Sequence, residues 1–560
     1  IPGRYSFVHA LVRSALGDSF SLTRRAAIHR RIGEAIEHRN QNRHGRQQDD
    51  DLPALAWHFT QAGAAEADRA INYASLAARQ AEDRLAYDEA VQFYDGAIAA
   101  CRADEPVDHG LLAELLIYQA EAEWRMALLP QSVASFVQAT EAARESGLPE
   151  LFARAANGVS WGSWEAFDNV RDTPISLLSE AMEMLPEGDG PLRAETMANL
   201  SHLKFFSGDP DDDATEMSAE AIAMAERLDD ETFFKVAVSL HYYLLQSTTT
   251  EYRIGAADRV VRIAEESEDR EDLAEALALR AVMLTKNGRG PDSAADIARH
   301  EALAETLPQV RNTNFSLQAA RCFLEGRWKQ GEKLTEEALA GEHMPHSARI
   351  AMIDALHYMD YAQRGKLGEV VPILELEAEV SASWNTWPAW EVGLALGYWQ
   401  AGDRDRAVEQ LETVDFEALR SINRMPLIKP VFCGVAVMFL SEFTDPDRAR
   451  VVTDLMEDLE DRWTIFGPGA PTFGPYSLLF GEMYLLQERD REAATALENA
   501  VVECEAMNAQ PFLARAQLAL AEALTRLDDP EGPERTAELR KSGLAIAKDL
   551  EMAPLLARYA

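Results

Sequence analysis

The chain has little of what most protein chemistry requires. Cysteine occurs four times in 560 residues, at Cys101, Cys322, Cys433 and Cys504, with no paired spacing. That excludes a disulfide framework and a cysteine-based zinc site, and it fits reduced thiols packed between helices in the cytoplasm. No run of about 18 apolar residues is present, so no segment reads as a membrane-spanning helix. The alternating pattern of a half-buried strand is almost missing. No Gly-x-x-x-x-Gly-Lys-Ser/Thr loop exists: at Gly365-Lys366 the next residue is Leu367, and Asp360 stands where the loop needs its first glycine. The segment is therefore expected to hydrolyse no ATP, to carry no catalytic residues and to hold no cofactor of its own. Positive charge is also scarce. With 54 Lys and Arg against 94 Asp and Glu, the net charge is −40 and the pI about 4.7. Such a surface repels phosphate, which excludes nucleic-acid binding by the chain as a whole.

What is present is helix. Apolar content of 47% and charged content of 26% are those of a folded, soluble protein. Apolar residues recur at helical spacing in segments of about 12–16 residues, broken by short Gly, Asp or Pro turns. Pairs of such segments return every 35–43 residues or so, the mark of a helical solenoid. The predicted fold is all-α: a tetratricopeptide-like superhelix of roughly a dozen helix pairs.

The register of that pattern is explicit. It wants small residues at positions 8, 20 and 27, where the two helices of a repeat approach, and bulky ones at 7, 11 and 24. Residues 474–505 supply Phe480 and Gly481, Tyr484, Ala493, Leu497 and Ala500. Residues 388–419 supply Leu394, Ala395, Tyr398, Ala407, Leu411 and Val414 around a Gly402-Asp403 turn. Residues 71–102 fit through Ala77, Ala78, Ala90, Tyr94 and Ala97, and residues 113–144 through Ala120, Phe136 and Ala139. Between about 150 and 380 the pattern is degenerate while the helix-pair rhythm persists. The stretches Ser421 to Pro430 and Phe466 to Pro475 are rich in Pro or Gly and read as inter-repeat loops or a bend.

The opening segment differs from the rest in charge. Residues 1–46 hold nine Arg against three carboxylates, a net of +6, whereas the remainder has 45 basic and 91 acidic residues, a net of −46. A basic surface helix and a docking face for another domain or for phosphate both account for this. The expected division is 1–46, 47–105 as connecting helices and a first repeat, and 106–560 as the solenoid.

Phe7-x-His9-x-Leu11-x-Arg13, Leu22-Thr-Arg-Arg25, His29-Arg-Arg-Ile32 and Ala35-Ile-Glu37 resemble the winged-helix end of bacterial STAND regulators, signal-transduction ATPases whose nucleotide-binding module is followed by helical repeats. The C-terminal side, from Asn508 to Arg515 and from Leu544 to Met552, resembles the same proteins. The resemblance makes residues 1–46 a short winged-helix remnant, the C-terminal part of such a module ahead of the superhelix, and implies an ATPase module upstream in cis with ATP or ADP bound there. It also implies a LuxR-type helix-turn-helix or class III nucleotide cyclase as output, and oligomerisation on activation. Val8-His9-Ala10 is similar to the Met-His-Asp stretch of immune ATPases, in which the His reaches the β-phosphate of ADP. Imidazole suits that task because it donates to phosphate and gains charge near neutral pH. Here Ala10 replaces the Asp, so the nucleotide-sensing assignment rests on His9, with Arg13 beside it; a His packed in a small helical module is the other reading.

Other patterns match chemistry only on paper. Gly158-Val-Ser160-Trp-Gly162 spells a nucleophile elbow, but the run before it is helical rather than a strand. Asp209 to Glu220 spaces carboxylates like a calcium loop, yet Ala214 stands where Gly must turn, and Asp213 is better placed to cap the following helix. His343 and His346 offer two metal ligands where three are normal. Trp384, Trp387 and Trp390 recur at helical spacing, which suits core packing or a partner-binding groove. The sequence thus predicts a non-catalytic sensor and protein-interaction arm of a signal-transduction ATPase of bacterial origin, taking a protein partner or small effector on the solenoid. The alternative is a free-standing repeat adaptor.

Overall fold

In a computed structural model of the protein the described residues are 20–40, 51–126, 128–161, 172–207, 213–307, 310–340, 357–382, 388–421, 428–457, 459, 462–465, 472–527 and 533–560. They form an all-α tetratricopeptide-like superhelix with one short hairpin. The chain divides into two compact units, one spanning the helices up to Gly188 and one from Asp189 to the end.

In the first unit, the helix Leu22–Asn40 lies on Leu52–Ala62, and three helix pairs follow: Ala67–Glu82 with Tyr87–Ala103, His109–Arg125 with Leu129–Ser146, and Pro149–Trp161 with Asp172–Met184. Alanines at the repeat contacts are fully buried, among them Ala77, Ala78, Ala90, Ala97, Ala120 and Ala139, while Tyr94 and Phe136 fill the space beside them. Small side chains let two backbones approach, and the neighbouring rings restore packing density. Acidic residues start many helices. Asp108 accepts from the Leu111 amide at 3.0 Å, and in the second unit Asp229 accepts from Thr232 at 2.8 Å, satisfying amides that no helical carbonyl reaches.

The second unit continues the pairs from Pro191–Ser207 with Ala214–Arg227 through Tyr476–Leu486 with Asp490–Ala506 and Gln510–Arg526 with Pro533–Asp549, and closes on the short helix Ala553–Tyr559. The superhelix coils back on itself. The helix Arg311–Glu325 packs against Gln510–Arg526. Gly326, at φ +78°, has the Leu550 side chain 2.8 Å from where a Cβ would stand. No side chain fits there, and the left-handed backbone itself favours glycine. Polar contacts follow the same seam. Trp328 Nε1 donates to the Leu550 carbonyl at 3.0 Å. The buried Arg364 bonds Asp360 at 3.2 Å and Glu332 at 3.0 Å, and reaches Glu551 at 3.4 Å. Arg558 donates to the Ser441 carbonyl at 2.8 Å and to Glu522 at 2.9 Å.

One element departs from the expected loop. Trp463–Ile465 (β1) pairs antiparallel with Thr472–Pro475 (β2), Trp463 opposite Pro475 and Ile465 opposite Thr472. Thr464 Oγ1 accepts from the Phe473 amide at 2.8 Å and donates to the Gly474 carbonyl at 2.9 Å. The two ends of β1 belong to different cores: Trp463 to the cluster running from Leu324 to Leu524, and Ile465 to the cluster from Ala194 to Leu317. The ribbon is a wedge between them, which is why a stretch rich in Gly and Pro takes extended structure here.

Candidate interaction face and seam cavity

The helix Leu22–Asn40 buries one side against Leu52–Ala62, where Ile36 joins Leu55 and Phe59. Its other side is a stripe at i, i+4, i+7, i+8, i+11 and i+15: Arg24, Ile28, Arg31, Ile32, Ala35 and Arg39, residues that share one helical face. Most of them line a shallow depression. Leu22 is 77% exposed and Ile32 39%. Arg39 is held by Asp51 at 2.8 Å and Arg30 by Glu34 at 3.1 Å, whereas Arg31 has no ion pair among the described residues. Trp57, 55% exposed, sets its ring edge-on to His29 at 4.6 Å. His29 Nδ1 lies 3.0 Å from His58 Nδ1. Burial, then the Arg25 charge, lowers the pKa of His29; burial, then His29 itself, lowers that of His58. Both rings are thus held neutral at pH 7, one donating to the other. Exposed isoleucine and an unpaired arginine on one helix, with an exposed indole on the helix packed against it, have the composition of a partner-binding hot spot.

In the second unit, the coil-back encloses a cavity of about 320 Å3. Four stretches distant in sequence build it: 281–297, 317–325, the facing ends Ile465 and Thr472 of the hairpin, and 506–508. Val282, Ile297, Leu317, Ile465 and Met507 make it mostly apolar. Thr285 and Ser293 supply polar wall. Each hydroxyl donates to the Ala281 carbonyl at 2.8 Å, and the two oxygens are 2.7 Å apart. Arg321 and Glu325, paired at 2.9 Å, also line it.

Deeper in the same unit, Arg515 and Glu482 form a buried ion pair at 2.5 Å, with Ser441 Oγ donating to Glu482 at 3.3 Å. Burial raises Asp360 to about 6 against the opposing charge of Arg364. The four cysteines are buried free thiols, and burial pushes up the thiol pKa of each.

The residues singled out from the sequence are placed as follows. His9, Arg13, Trp384, Trp387, His343 and His346 lie outside the described residues, as does the start of the calcium-like loop. Trp390 is half-buried at the head of Ala389–Gln400. Gly481 faces Leu497, whose Cγ is 2.4 Å from where a Cβ would stand; Ala493 and Ala500 are fully buried and Tyr484 is half-buried. Ala395 and Ala407 are fully buried, and Tyr398 donates to Glu375 at 2.7 Å. Ser160 is no nucleophile: it lies buried inside the helix Pro149–Trp161 and its hydroxyl donates to the Asn157 carbonyl at 2.6 Å. Asp213 precedes Ala214–Arg227 as expected, but its carboxylate pairs with Lys204 at 2.8 Å and makes no capping bond. Among the described residues no group of three or more His, Cys, Asp and Glu is arranged to hold a metal ion, and no helix is long and apolar enough to cross a membrane. Trp57 and the cavity were missed. The basic stripe was visible as the Arg-rich opening, whereas the cavity has no local sequence signal.

No family model and no curated protein matches the chain. Similar solved structures include a Rap protein complexed with competence and sporulation factor, at 15% identity and a TM-score of 0.39, covering 59% of this chain and 96% of that one. A human IFIT1 dimer with m7Gppp-AAAA matches at 13% identity and a TM-score of 0.29, covering 85% and 90%. Naa15/Naa10 bound to HypK-THB matches at 13% identity and a TM-score of 0.22, covering 96% and 88%. At these identities and scores they carry no argument about what this chain binds.

Proposed function

We propose that the chain is a non-catalytic protein-interaction scaffold whose helix Leu22–Asn40 docks an acidic partner surface. One observation carries the reading: a stripe of isoleucine and arginine on Leu22–Asn40 is left open in a chain that is otherwise strongly acidic, and the helix packed against it, Leu52–Ala62, exposes Trp57. The stripe is apolar at its centre and cationic along its rim. The partner fitted to it presents an apolar ridge bordered by Asp and Glu, so that charge steers the encounter and apolar burial holds it. The resemblance to STAND regulators supports a specific version: the docked surface is an ATPase module in cis, bound to ATP or ADP, with the repeats acting as its sensor arm.

The test uses the purified chain and a partner identified by cross-linking through Trp57-proximal positions, then reconstituted from pure components. Ile32→Asp and Trp57→Ala should each weaken the complex about tenfold or more, and raising salt should weaken the wild-type complex through Arg24 and Arg31. A reconstituted complex indifferent to both substitutions overturns the proposal.

A further inference from the structure

We infer that the seam cavity of the second unit is a binding site for a small, mostly apolar molecule of aromatic-ring or short-acyl size that carries one hydrogen-bond donor. The site is separate from the docking face of the first unit and does not depend on it. Its volume, about 320 Å3, sits at the small end of the roughly 300–1,000 Å3 typical of small-molecule pockets, which are likewise apolar with a few convergent polar groups. It is a half-open recess on which four stretches distant in sequence converge, and a concave apolar site of this kind is where a small guest buries most of its surface. Apolar cavities far smaller than this take up apolar guests.

The polar wall defines the donor. Thr285 and Ser293 have two hydroxyl protons between them, and these are taken up by the Ala281 carbonyl at 2.8 Å and by the bond between the two hydroxyls at 2.7 Å. Their remaining lone pairs accept and do not donate. A guest with an N–H or O–H satisfies one of them; a guest bearing only acceptors meets oxygen facing oxygen. Glu325 in the wall is taken up by Arg321 at 2.9 Å and by Arg327 at 2.7 Å, so it offers no free carboxylate to a cation. The cavity exists only while the coil is closed, because 281–325 and 465–508 meet through the seam. Occupancy therefore stabilises the closed form by mass action.

Indole, planar and apolar with a single N–H, is the probe, and naphthalene is its counterpart without a donor. The full chain should bind one indole saturably by calorimetry, with a rise in melting temperature that grows with indole concentration, and should bind naphthalene at least about fivefold more weakly. Ala294→Trp fills the cavity from one wall and Ala320→Leu from another; each should lower indole affinity about tenfold or more while leaving the helical circular dichroism of the wild type. Should Ala294→Trp fail to fold, Ala320→Leu reads the same quantity. Absence of saturable indole binding, or binding unchanged in the folded filler variants, overturns the site. Naphthalene binding as tightly as indole overturns the donor assignment.

Discussion

The indole nitrogen of Trp328 donates to the carbonyl of Leu550 across 222 residues of chain, at 3.0 Å. Around it the segment 550–552 meets Gly326 and Arg364. This contact joins the last repeat to the middle of the second unit and turns an open coil into a closed one. Trp328→Phe keeps the ring and removes the donor, leaving a carbonyl without its partner. The expected cost is about 1–2 kcal/mol, read by chemical denaturation. Faster amide exchange in 547–556 than elsewhere would localise the loss to the seam. A variant as stable as the wild type would show that the closure does not rest on this bond.

Gly481 and Gly255 make opposite predictions when a side chain is added. Leu497 Cγ stands 2.4 Å from the Cβ position of Gly481, while nothing lies within 4 Å of that of Gly255 in the helix Thr250–Ser267. Gly481→Leu should cost on the order of 1–3 kcal/mol by overpacking. Gly255→Ala should stabilise by about 0.5–1 kcal/mol, because alanine loses less freedom in a helix. Thermal melts of the two variants should shift in opposite directions.

Arg515 and Glu482 are both buried and paired with each other. Removing one charge leaves the other unpaired in the interior, so Glu482→Gln should destabilise by about 3–5 kcal/mol. Replacing both by Leu and Met should cost much less, since no lone charge remains. Denaturant midpoints of the single and double variants check this; equal losses would contradict it.

His241 and Asp360 predict opposing pH dependences. Burial lowers His241 to about 4, with a bond at 2.9 Å to the Val238 carbonyl. Between roughly pH 6.5 and 4 the unfolded chain binds this proton and the folded chain does not, so stability falls on acidification through that window, by on the order of 2–3 kcal/mol. Asp360, raised to about 6, is protonated when folded and ionised when unfolded between roughly pH 6 and 4, so its contribution grows on acidification. His241→Phe should flatten the acid-side loss. Asp360→Asn should steepen it. Denaturation midpoints from pH 7 to pH 4 read both slopes.

The repeat contacts were legible before the structure because they are local. Gly481 with Leu497, and Ala90 with Tyr94 and Ala97, lie within one helix pair, and the 3.6-residue period with small residues at fixed positions writes such contacts into the sequence. The Arg and Ile stripe of Leu22–Asn40 was legible in part, as composition and spacing. Its openness beside Trp57 was not, because exposure depends on which neighbours a helix acquires.

An all-α chain of paired helices, buried free thiols and an acidic surface with a basic opening segment can be read from the residues alone, since each follows from composition or from contacts within about 40 residues. Only the tertiary structure decided that 281–325 meets 463–552. Superhelical closure sums small rotations over many repeats, and no periodic pattern records where that sum brings two distant segments together. The pairing of Trp463–Ile465 with Thr472–Pro475 follows from the same cause: the two strands bridge two separate cores, whereas Gly474 and Pro475 alone read as a loop.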